Sequence, residues 1–98
     1  MNTLPNIHPG EVLKEEFLVP LGISQYRLAK AVGVTPMRIH DICAGRRGIT
    51  ADTALRLSRA LSTTPGFWLM LQADYDAEEV MQKYGEAIRH IEPLMAAA

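Results

Sequence analysis

Apolar residues recur along the chain at intervals of three and four, and each such stretch is bracketed by helix start and stop signals. Ser24 precedes a segment in which Leu28, Ala29 and Val32 form one apolar stripe, and Gly33 follows where a helix end accepts positive φ. Thr35 then caps a second segment, with Pro36 at its first position, where a missing N–H costs nothing. In it Ile39 and Ile42 turn inward, leaving Met37, Arg38, His40 and Asp41 outside. Upstream, His8, Pro9 and Glu11 mark the cap, first position and first turn of an earlier helix. Val12, Phe17 and Leu18 form its buried side, and Pro20 and Gly22 its stop. Downstream, Thr50 opens a helix to Leu61 with Ala54, Leu57 and Leu61 as its stripe, flanked by Leu55 and Ala60. Thr64 and Pro65 open the last stretch. Asp76-x-x-Glu79 then resembles a capping box, so either a second short helix begins there or one long helix continues. Val80, Tyr84, Ile88 and Ile91 give this segment its stripe, Gly85 weakens it and Pro93 ends it. Residues 1–7 carry no periodic pattern and are expected to be a flexible arm; folding onto a protein partner is the alternative. No strand alternation, repeat or low-complexity segment occurs. The prediction is an all-α bundle of five or six helices.

The segment Ser24 to Gly45 holds two short helices, a tight turn containing Gly33, and a polar face at the start of the second helix. This is the pattern of a helix-turn-helix. The pattern S-Q-x-x-L-A-x-x-x-G-V-x-x-x-x-I, carried by Ser24, Gln25, Leu28, Ala29, Gly33, Val34 and Ile39, resembles the DNA-binding core of the phage-repressor (XRE/Cro-type, lambda repressor-like) group. HPGEVLKEEFL (8–18), VTPMRIHDICAGRRGITADTALRLSRAL (34–61) and TPGFWLMLQADYD (64–76) are similar to the HigA antitoxins of bacterial toxin–antitoxin modules. The resemblance covers Ile7 to about Asp76 and implies a helix-turn-helix DNA-binding domain over 8–76. Residues 77–98 are then a helical extension for dimerisation or partner binding. It further implies a repressor that neutralises a HigB-type ribonuclease toxin, represses the operon encoding both, and works in the cytoplasm.

Composition alters this picture in one respect. The 98 residues suffice for one domain, and 48% apolar content is ordinary for a globular protein. The formal charge of −1 gives no hint of nucleic acid until it is divided. Residues 24–59 carry seven basic groups against two acidic ones, a net +5, while the remainder carries three against nine, a net −6. The N-terminus lacks the basic and apolar regions of a secretory signal, and the longest apolar run, Phe67 to Leu71, is far short of a membrane helix. Cys43, a lone thiol, fits a reducing compartment. His8 and Glu11 are three apart but lack further ligands at a recognisable spacing, so neither metal nor cofactor is expected.

Site residues follow from the positions of these groups. Ser24, Gln25, Arg46 and Arg47, with the N–H groups of the helix starts, are expected to hold phosphates of double-stranded DNA. Thr35 either caps the recognition helix or joins them. Pro36, Met37, Arg38 and Asp41 are expected to meet base edges. Arg38 is the candidate reader of guanine, and Asp41 either accepts from a cytosine amine or orients Arg38. Gly45-Arg46-Arg47-Gly48 either grips the DNA backbone or is an ordinary exposed turn; it lacks the pattern of a nucleotide-binding loop. Phe67, Trp68, Leu71, Val80 and Tyr84 are expected to leave apolar surface for a homodimer or partner interface, which would suit a palindromic operator. Three rivals stand beside this reading: a stand-alone XRE-type regulator with no toxin, a helix-turn-helix used only to bind protein, and an enzyme with Cys43 as nucleophile. The last lacks a helical His three or four residues after the thiol.

Overall fold

The computed structural model describes residues 5–96, and every regular element among them is helical. Five helices follow in order. Helix α1 is a continuous composite of Pro9–Val12, a π-helical stretch Leu13–Leu18, and Val19–Leu21. Helices α2 (Gln25–Val32), α3 (Pro36–Cys43), α4 (Ala51–Leu61) and α5 (Pro65–Arg89) complete the bundle.

Side-chain caps set the starts of all five. His8 Nδ1 accepts from Gly10 N–H at 2.9 Å, and Ser24, Thr35, Thr50 and Thr64 each accept from the backbone N–H three residues on. Gly22 and Gly33 close α1 and α2 in the left-handed conformation at φ 66° and 76°. Ser62 does the same after α4 at φ 57°, an uncommon conformation for a residue with a Cβ.

Pro20 departs from its expected role. It lies inside α1, and Gly22 alone ends the helix. The π-helical stretch immediately before it gives the physical reason: Val19 N–H bonds to Lys14 O, five residues back, so the backbone is already widened where the proline ring arrives. The capping-box alternative at Asp76 is also not realised. The helix runs through that residue for 25 residues without a break, and Asp76 Oδ1 accepts instead from Gln72 Nε2 at 2.9 Å.

The core gathers Leu13, Leu28, Ala29, Ile39, Ile42, Ala54, Leu57 and Trp68, all essentially without solvent contact, together with Leu18 and Ile49. Each such aliphatic side chain contributes about 1.5–3 kcal/mol by leaving water. Leu13 was not on the expected buried side of α1, where Val12 and Phe17 are only half-buried. Leu55 points to solvent. Gly10 lets α1 cross α3 closely: a Cβ there would intrude on the carbonyl of Ile42. The aromatic cluster Phe17, Phe67 and Trp68 closes the bundle between α1 and α5. Beyond Asp76 only Gly85 of α5 is buried, so the second half of this helix stands clear of the core.

Candidate nucleic-acid interface

Helices α2 and α3 are joined by the turn Gly33–Thr35 and pack against one another through Leu28, Ala29, Ile39 and Ile42. Their starts are therefore fixed by the core, and the residues around those starts are left in solvent. Ser24 and Thr35 are exposed, and their hydroxyl oxygens accept from Arg27 and Arg38 N–H at 3.0 and 3.2 Å. Both act as caps, and each hydroxyl proton remains free to donate to a phosphate oxygen. Pro36 and Met37 lie exposed on the first turn of α3, with Met37 63% accessible.

Arg38 does not join them. Its Nη2 donates to Asp52 Oδ2 and to Thr53 Oγ1, both at 3.0 Å, and its side chain is only 22% exposed. Its Nε is buried without a partner. The guanidinium expected to read a base is, in this structure, drawn back onto the first turn of α4. Asp52 is the cause, since its carboxylate also accepts from Arg56 Nε through both oxygens at 3.1 Å. These bonds, Arg56 foremost, hold the Asp52 carboxyl below its ordinary pKa of 3.8. Arg56 continues to the carbonyl of Val32 at 2.7 Å and so closes the end of α2.

Asp41 pairs with neither Arg38 nor a free edge. Its Oδ1 accepts from Arg46 Nη2 at 2.8 Å and Nε at 3.3 Å. The carboxylate that would repel phosphate is thereby neutralised from within, and the first arginine of the basic loop is held against α3. Arg47 makes no ion pair among the described residues and is exposed.

Two side chains matter here beyond those singled out in the sequence. His40 is exposed on α3, and its Nδ1 lies 3.2 Å from Gln25 Oε1, so the two helices present a joined polar pair. In duplex DNA such a pair suits a backbone or base-edge contact from Gln25, with His40 orienting it. Gln72 of α5 accepts from Ile49 N–H at 2.7 Å and lies against Gly48, which fixes the far end of the basic loop. Neither link is visible as a motif, because its ends lie 15 and 23 residues apart.

Cys43 is half-buried, and burial raises its thiol pKa against the opposing pull of Lys14. Burial lowers the pKa of His8 from 6.5, with Asp76 opposing. Among the described residues no helix is long and apolar enough to cross a membrane.

The expected interface set divides. Trp68 is entirely enclosed, with its ring N–H donating to Thr63 Oγ1 at 2.7 Å, so it offers no surface. This corrects its place in that set: the indole closes the core of the monomer. Leu71 is half-buried against that core, while Phe67, Val80 and Tyr84 remain 38%, 44% and 54% exposed.

Comparison with known proteins places this geometry. The family model described as helix-turn-helix matches residues 13–68. Virulence-associated protein I of Dichelobacter nodosus is 47% identical over 97 residues, covering 99% of this chain and 89% of that protein. Antitoxin HigA-1 of Vibrio cholerae is 38% identical over 88 residues, covering 90% and 83%. Among solved structures, the Pseudomonas aeruginosa antitoxin HigA with the higBA promoter superposes with a TM-score of 0.87 at 41% identity, covering 93% of this chain and 100% of that one. The chain belongs to the helix-turn-helix family and, within it, to the HigA antitoxins.

Proposed function

We propose that this protein is a DNA-binding antitoxin that represses its own operon as a homodimer and neutralises a HigB-type ribonuclease toxin. The observation that carries the DNA half is the joined face at the starts of α2 and α3. Ser24, Thr35, Pro36 and Met37 are exposed there with Gln25 half-buried beside them, on a backbone that superposes on an antitoxin solved with its promoter. Ser24, Thr35 and Arg47 hold phosphates and set register; Gln25, Pro36 and Met37 face the groove. Arg46 works through Asp41, and Arg38 holds α3 to α4. With so few polar readers, DNA shape supplies part of the specificity. The protein acts without chemistry of its own and in the cytoplasm.

The homodimer rests on α5. Met70, Ala73, Ala77, Val80, Tyr84 and Ala87 alternate at spacings of three and four, and all six are exposed. That is the seam of a two-stranded helix contact. Residues 8–76 thus serve DNA and 77–98 extend the contact between copies. A gel shift on the protein's own promoter, paired with a growth assay in which the neighbouring small gene is expressed with and without this one, tests both halves. No promoter shift removes the repressor, and no growth rescue removes the antitoxin.

A further inference from the structure

A cleft of 370 Å³ lies between α1 and the start of α5, away from every residue assigned above to DNA. Its floor is apolar: Ile7, Val12, Phe67 and Leu71. Its rim is acidic, formed by Glu11, Glu15 and Glu16, all exposed, and no Lys or Arg lines it. Asp74 and Glu78 fall on the same stripe of α5 as Phe67 and Leu71 and carry the acidic edge onward.

The walls are set before any partner arrives. Phe67 is fixed by ring contacts to Trp68 at 4.9 Å and Phe17 at 5.9 Å. Ile7, 54% exposed, is held by its neighbour Asn6, which donates to Tyr75 O at 2.9 Å and to Glu79 Oε2 at 3.2 Å. A rigid apolar floor costs little ordering entropy on binding. The carboxylate rim excludes DNA, whose phosphates it repels, and favours a cation-bearing surface.

We propose that this cleft docks a cationic face of a second protein, with one apolar side chain seated on Phe67 and Leu71 and Lys or Arg side chains paired to Glu11, Glu15 and Glu16. The inference rests on the antitoxin reading. A ribonuclease must present cations to the phosphates of its RNA, so its own surface matches this rim. The cleft shares no residue with the DNA face, and its stripe on α5 lies roughly 130° around the helix from the Met70–Ala87 seam. DNA, a second copy and the toxin therefore occupy separate surfaces.

The test immobilises the full chain and titrates the purified product of the neighbouring small gene. Glu11→Gln with Glu15→Gln and Glu16→Gln should weaken capture roughly tenfold and flatten its salt dependence, with operator affinity unchanged. Ile7→Ser, at an exposed position outside the helices, should weaken capture without moving the salt dependence, which covers the case in which the triple variant alters folding. Undiminished capture by both variants overturns the cleft as the docking site and leaves the antitoxin reading standing. Failure of the unaltered chain to capture that product removes the antitoxin reading and the docking proposal with it. A change in the sedimentation of the free protein on the triple substitution would make the cleft a contact between copies, which also overturns the proposal.

Discussion

The Arg38 guanidinium bridges Asp52 and Thr53 at 3.0 Å and so ties the recognition helix to the start of α4. With Asp52 54% exposed, solvent screens this ion pair. Arg38→Ala should therefore lower the thermal midpoint only slightly. Its ratio of operator to scrambled-DNA affinity should stay as it is; a fall in that ratio would return Arg38 to the bases. Arg47 is the contrasting case, exposed and without an ion pair. Arg47→Ala should reduce the slope of log K against log salt by about 0.9 on duplex DNA, and an unchanged slope would leave it as plain surface. The difference between these arginines marks the limit of what the sequence carries. Ser24, Thr35, Thr50 and Thr64 were legible as caps because each bonds only three residues on. The Arg38–Asp52 pair spans 14 residues and a loop, and both Asp41 and Asp52 were equally available acids on paper.

Helix α1 shows the same limit at the next scale. Its start was legible from His8, Pro9 and Glu11, yet its interior was not, since a π-helical stretch has no sequence signature and Pro20 reads as a stop. Leu13 was missed although it stands four residues before Phe17 and so on the same face of a regular helix. The His8 cap also makes the helix pH-sensitive. Its Nδ1 must be unprotonated to accept from Gly10 N–H, and burial lowers its pKa. The unfolded chain then binds the proton more readily, so the contribution is fully present above pH 6.5 and is lost as pH falls through the lowered folded value. His8→Asn keeps a cap that does not titrate. Between about pH 8 and about pH 5, on either side of the imidazole range, the parent should lose more thermal stability than the variant. Parallel losses would mean that the cap plays no part in the acid response.

For the whole molecule, α5 is the element on which the surfaces are divided. Its first turns carry Trp68 into the core and Phe67 and Leu71 to the acidic cleft, while Met70 to Ala87 face outward as an apolar seam. The charge split legible in the sequence follows the same division, with the basic groups concentrated in 24–59. What composition left open was which apolar groups the core would use, because Phe67, Trp68 and Leu71 are all large, apolar and close together in the chain. A single domain with Arg38 withdrawn and Asp41 neutralised has little to read bases with. Two copies joined through α5 double that readout and demand two-fold symmetry in the operator. Half-sites should then lie about 10–10.5 base pairs apart, or a multiple of that. Tyr84, 54% exposed toward the end of the seam, is the position that separates assembly from folding, since it contributes nothing to the core. Tyr84→Glu should sediment as a monomer at micromolar concentration with its thermal midpoint retained at high dilution. Its affinity for the palindrome should fall to that for an isolated half-site, the loss of the second copy's contacts. A parent protein that is monomeric and binds one half-site as tightly as two would end the α5 dimer, and a dimeric Tyr84→Glu would move the contact to another face.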